Sequence, residues 1–283
     1  MAAITGNVTN ANGMLAHINL LDIIRQAAED TGNWTALRWD DAAGELILQG
    51  NGYSGDKEIF IGFLCYQNSD LDYYNISTAA FTGYVAGNTF NTQPGYYASA
   101  VPAHATSIEY WINISPQRIT GALRIAGVAW EFFYLGFFNP FSSPTAYPYP
   151  MLVAGMLASA TAAVRFSDTA PVSPLKAAST RSRLRNNTEW IAPTFHPLSS
   201  PAFNTETSSY GVGKLRDIFG TIPLLPITIY TTLGCWGELE GVFFAPWFNA
   251  STGDTATIAD VDYILVGNSR AALADDGLML RLD

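Results

Sequence analysis

The apolar residues of this chain change period once, and that change restricts the fold more than any motif does. Met14, Ile18, Leu21, Ile24 and Ala28 recur at spacings of three and four, which lines one face of a helix. Asn12 is placed to cap its start, and Thr31-Gly32 supplies the usual stop. Beyond that point the period drops to two. Segments 34–39, 45–49, 58–66 and 73–85 are short runs rich in β-branched and aromatic residues, separated by Gly, Asn and Asp clusters.

A long loop is expected over 87–104, followed by a three-strand meander at 107–114, 118–125 and 128–138. In the first of these strands Ile108, Tyr110, Ile112 and Ile114 share one face, with Glu109, Trp111 and Asn113 on the other. Strands return over 227–236, 238–248, 255–267 and 278–282. Between the two β regions, 139–226 holds most of the 15 prolines. Proline cannot donate to a sheet ladder, so this stretch reads as an excursion running extended over the body or over a neighbour.

The expected fold is mainly β, a sandwich or barrel-like body with one N-terminal amphipathic helix and a long Pro-rich irregular excursion. Its parts are a flexible arm at 1–12, a helix and β body at 13–138, the excursion at 139–226, and closing strands at 227–283 that pack on the body.

Charge decides which functions remain. Only 13% of the 283 residues are Asp, Glu, Lys or Arg, about half the share of an average soluble domain. The net charge of −10 repels polyanions, so a nucleic-acid partner is not expected. A surface so poor in ions is expected to be covered in part by other subunits. The uncharged stretch 132–164 is broken by proline, so no membrane span is expected. The first basic residue is Arg25, so a secretory leader is not expected either. Cys65 and Cys235 read as buried free thiols, with a bridge between them as the minority reading.

Chemistry-bearing motifs are scarce. The three histidines, His17, His104 and His196, have no metal-ligand spacing, and phosphate-binding glycine motifs are absent. Neither metal, cofactor nor catalytic residues are expected. Glu238 and Glu240 could share a strand face as a glycosidase pair, but two acids on a solvent-facing strand are the simpler reading. The tyrosines at 96, 97, 147 and 149 suit either a sugar groove or subunit contacts. Lys176, Arg181, Arg183 and Arg185 form a dense basic cluster, expected to dock on acidic surface of an identical or partner subunit. The expected interface set is therefore Lys176, Arg181, Arg183, Arg185, Tyr96, Tyr97, Tyr147 and Tyr149.

Several blocks carry a resemblance. They are Asp72-Tyr73-Tyr74-Asn75, Phe81-Thr82-Gly83-Tyr84-Val85, Asn88-Thr89-Phe90 and Gln93-Pro94-Gly95. Later come Tyr147-Pro148-Tyr149-Pro150, Gly237-Glu238-Leu239-Glu240-Gly241-Val242 and Leu280-Arg281-Leu282-Asp283. In these blocks, spread over 72–283, the chain resembles tailed-bacteriophage virion proteins encoded among tail and baseplate genes. The resemblance implies a structural subunit without cofactor, present in several copies in a ring around the tail axis. Its implied neighbours are other tail, baseplate or neck proteins, and its implied location is the virion tail, reached from the host cytoplasm. It transfers no functional residues. A carbohydrate-binding module that attaches to a host glycan is the alternative.

Overall fold

The computed structural model describes residues 2–11, 13–142, 150–168, 173–176, 178–186, 188–198, 223–246, 250–267 and 276–283. The chain is mainly β. Strand β1 (Ala2–Thr9) and helix α1 (Ala16–Asp30) come first. Then follow β2 (Trp34–Asp40), β3 (Glu45–Gly50), β4 (Ile59–Asn68), β5 (Tyr73–Phe81) and β6 (Tyr97–Pro102). Next are β7 (Ser107–Ser115), β8 (Arg118–Ile125), β9 (Ala129–Phe137), β10 (Asn139–Pro140) and β11 (Met151–Ala154). A single helical turn, α2 (Ala178–Arg181), leads into β12 (Ser182–Arg185), β13 (Trp190–Ile191) and β14 (Thr194–His196). The last strands are β15 (Leu225–Thr231), β16 (Gly234–Pro246), β17 (Thr255–Ile258), β18 (Val261–Gly267) and β19 (Asp276–Arg281).

The described strands pair antiparallel in three sheets. The first has the order β1-β7-β8-β9-β11-β12-β13, and the second is the meander β2-β3-β4-β5-β6. The third runs β14-β15-β16-β19-β18-β17, with β10 also on β16.

Helix α1 forms where the stripe predicts, and it buries Ala16, His17, Leu20, Leu21, Ile24 and Ala28. Leu15 occupies the cap position with extended backbone and no side-chain hydrogen bond, while Asn12 lies outside the described residues. The start is fastened by Asn19 instead, whose Nδ2 donates to Thr9 O at 2.9 Å. At the far end Thr31 Oγ1 donates to Ala28 O at 2.7 Å, and Gly32 takes a φ of +71°. Glycine reaches that left-handed conformation without a Cβ penalty.

One core joins the helix to all three sheets. The Phe63 ring from β4 meets the Phe133 ring from β9 edge-on at 5.7 Å, with Leu20, Leu21 and Ile24 of α1 in the same cluster. Val242, Phe244, Ile264, Val266, Leu278 and Leu280 bring the third sheet into it. The alternate residues Ala245, Tyr263, Leu265 and Met279 form a separate apolar cluster, because side chains along a strand alternate between faces. Both faces of this sheet are therefore apolar, which is why 263–266 reads as a continuous hydrophobic run.

Four expectations need correction. The flexible arm expected at 1–12 is largely strand β1, paired residue for residue with β7 from Ala2↔Ile114 to Thr9↔Ser107. Its alternation is carried by Ile4, Gly6 and Val8, too small a set of aliphatics to stand out in the sequence. The loop expected over 87–104 contains β6, whose Tyr-Ala-Ser-Ala-Val run fits a crowded sheet edge although small residues give little β signal. The run 255–267 is a hairpin, turned at Ala259 and Asp260 with φ of +51° and +63°. Two positive φ values match the twist of a tight hairpin without the usual Asn-Gly.

The excursion is the fourth. Where it is described, it supplies β11, β12 and β13 to the first sheet and β10 and β14 to the third. Pro150, Pro193 and Pro197 stand just outside these strands. Proline stands beside β11, β13 and β14, and all these segments are too short to show a strand period although they pair. Residues 199–222 lie outside the described residues.

Candidate functional site

Two arginine-centred groups are the most developed polar constructions among the described residues. The first is at the turn from β7 into β8. Arg118 is fully buried, and its Nη1 donates to Asn113 Oδ1 at 2.9 Å. Its Nε lies 3.6 Å from Glu240 Oε2 on β16, and its guanidinium sits 5.9 Å from the centre of the Tyr134 ring. Gln117 Nε2 donates to the same Glu240 oxygen at 2.8 Å, while Tyr53 OH donates to Oε1. Burial first, and the Glu240 contact second, push the Tyr53 hydroxyl up to about 12.

Gly241 follows with a φ of +67°, and a Cβ there would fall 2.1 Å from Arg118 Nη2. Both the backbone conformation and the space demand glycine at this position. The arrangement fastens the first sheet to the third through a buried ion pair. Both oxygens of Glu240 are engaged by donors of its own chain, while the backbone of Glu238 pairs with Asn139 and Thr228. Beside this group is a cavity of about 550 Å³, with Phe60, Phe138 and Pro140 on its apolar wall and Tyr53, Glu58 and Gln117 on its polar side. Tyr53, which lines this cavity, is 57% exposed.

The second group is on β12 and β13. Ser182 and Leu184 of β12 point inward and are buried, so Arg183 and Arg185 share the opposite, half-exposed face. Arg183 lies over the Tyr97 ring at 5.6 Å, and Arg185 over the Trp190 ring at 5.8 Å. The two rings are 5.4 Å apart, and Trp190 Nε1 is fixed by donating to Gly95 O at 2.8 Å. Guanidinium planes and ring faces attract through the ring quadrupole, so each arginine has an intramolecular partner.

The expected interface residues thus divide. Arg183, Arg185 and Tyr97 come together, and Trp190, which the sequence did not single out, completes the group. Arg181 ends α2, and its carbonyl accepts from Gly155 N–H at 3.3 Å. Lys176 stands in a turn closed by its own N–H on Ser173 O at 3.0 Å. Tyr96 turns inward, stacked on Phe81 at 6.1 Å and edge-on to Phe90. Tyr147 and Tyr149 lie outside the described residues. Of the basic cluster, Arg183 and Arg185 are therefore part of a sheet, while Arg181 and Lys176 lie in the helical turn and the turn that precede it.

Other expectations have local outcomes. Cys65 is partly buried and no disulfide joins it to Cys235, which is exposed where a buried thiol was expected. His17 is buried against Tyr74, which also meets His104, and burial lowers its pKa to about 4. Among the described residues no three His, Cys, Asp or Glu side chains are grouped to hold a metal ion. No helix among them is long and apolar enough to cross a membrane. A scan against models of known protein families finds no match to this chain, and a search of curated proteins finds none either.

Proposed function

We propose that this chain is a structural subunit of a bacteriophage tail, in the baseplate, tail-end or neck region, acting through contacts with identical and neighbouring subunits. The observation that carries the reading is the charge economy: 13% charged residues on a chain of 283. Several of those charges are spent within the chain, including Arg118 with Glu240 and Arg38 with Glu45. Large apolar residues meanwhile stand exposed, with Val128 at 70% and Leu233 at 72%. Surfaces that are depleted in charge and carry exposed apolar side chains favour burial against other subunits. The resemblance in blocks over 72–283 points the same way. In this reading the helix and the first and second sheets, which pack on each other, form a sandwich-type body without a catalytic role, and closed rotational symmetry relates the copies.

The test is the composition of purified particles: several copies of the chain per tail are expected, and its absence from washed particles overturns the reading. The alternative, a carbohydrate-binding module, is favoured by one observation. The exposed Tyr53 ring is pinned at its hydroxyl beside the 550 Å³ cavity, a geometry suited to stacking on a sugar face. Saturable binding on a glycan array that Tyr53→Ala removes would select that reading.

A further inference from the structure

A free sheet edge presents a row of unpaired N–H and C=O groups, and proteins blunt such edges by shortness, bulges, charge or cover. The described edges of this molecule follow the rule with one exception. In the first sheet β13 has two residues, and in the third β14 has three and β17 four. In the second sheet β2 is bulged between Ala36 and Arg38. The Arg38 guanidinium also ties the loop at Ala86 and Asn88 to that strand. Its other edge, β6, is covered by 155–157, with Leu157 N–H on Ala100 O at 2.8 Å and Ser99 Oγ on Leu157 O at 2.6 Å.

Among the described residues the middle of strand β1 has none of these devices; helix α1 packs against the strand, and at its end one backbone oxygen is taken, Thr9 O by Asn19 Nδ2. It is eight residues long, pairs with β7 without a register shift, and contains no charged residue and no proline. Thr5, Gly6 and Asn7 at its middle are all exposed. Its sequence is also symmetric in character about Gly6. Antiparallel pairing of two such strands about that residue sets Ile4 opposite Val8 and Thr5 opposite Asn7. Ile4 and Val8 lie on the face that packs toward Ile112 and Ile108, so the apolar pair would extend the existing core side. Thr5 and Asn7 lie on the other face, where side-chain hydrogen bonds across strands are available.

We infer that β1 is a self-pairing edge, and that its occupant is the β1 strand of a second copy, joined antiparallel across a two-fold axis at Gly6. This deepens the multi-copy reading above and rests on it. Self-pairing joins copies two by two, so contacts around a ring must use other surfaces.

The experiment is charge exchange at two exposed positions, read by sedimentation. The variant Thr5→Lys/Asn7→Lys sets lysine opposite lysine, and Thr5→Glu/Asn7→Glu sets glutamate opposite glutamate. Each alone is expected to weaken pairing by about tenfold or more, less so at high salt. An equimolar mixture is expected to restore it. Single variants that assemble like the parent, or a mixture that stays unpaired, overturn the inference while leaving the multi-copy reading intact. A parent chain that is monomeric at high concentration overturns both. Should either variant fail to fold, hydrogen exchange of the unsubstituted chain gives the answer: the outward amides of β1 are expected to gain protection as concentration rises. Unchanged exchange overturns the inference.

Discussion

Arg118 and the pair Arg183/Arg185 use the same side chain for opposite ends. Arg118 is fully buried between two sheets, and what makes it tolerable there is a carboxylate, an amide oxygen and a ring face. Arg183 and Arg185 remain half-exposed, each resting on an aromatic plane that is itself fixed in the fold. Removing one member of a buried pair strands the other charge, whereas removing an exposed guanidinium loses only contact. Position in the fold, not residue type, sets the consequence.

That contrast orders three expected outcomes. The largest belongs to Glu240→Ala, which leaves Arg118 buried without its carboxylate and is expected to cost about 3–5 kcal/mol. Denaturant unfolding reads it directly. A loss below about 1 kcal/mol would mean that Asn113 and Tyr134 suffice for Arg118, and the comparison would break there.

His17 gives the second. It is fully buried, like Arg118. Gln67, His104 and Tyr74 are the groups around it. Its folded pKa of about 4 lies below the ordinary 6.5, so the unfolded chain takes up the proton first as the pH falls. Stability is expected to be complete above about pH 6.5 and to decline by about 3 kcal/mol on going down to about pH 4. Thermal unfolding of the His17→Phe variant over that window should lack this slope, and an identical slope would rule out His17 as its source.

The smallest effect is at β12. Arg183→Ala and Arg185→Ala are each expected to cost about 0.5–1 kcal/mol through loss of the ring contact. A loss as large as that of Glu240→Ala would erase the distinction between the two regions. If these arginines also serve an interface, the double variant weakens assembly in a salt-sensitive way beyond that small change in monomer stability.

Much of the scaffold could be read from the chain, and the reasons for the rest are physical. The stripe from Met14 to Ala28 and the alternation in β2, β3, β7, β8 and β9 are local signals, and those elements form where expected. Strands β1 and β6 were hidden because Ala, Ser, Thr and Gly carry the alternation with little hydrophobic contrast. Strands β11 to β14 have two to four residues each, too short to show a period. At the site, density of charge drew attention to residues 176–185, but the aromatic partner Tyr97 comes from a distant part of the chain. Arg118 stood alone in a strand, and its partner Glu240 lies on β16. The available signal was the acidic pair at 238 and 240, which suggested two acids and not one acid with a buried base.

The central claim is that the outside of this chain is too poor in ions to stay alone in water. Sedimentation of the purified chain over a wide concentration range, at low and physiological salt, addresses it most directly. Assemblies with masses that are multiples of 30.6 kDa are the predicted result. A single species of one copy, unchanged up to the highest soluble concentration, would contradict it.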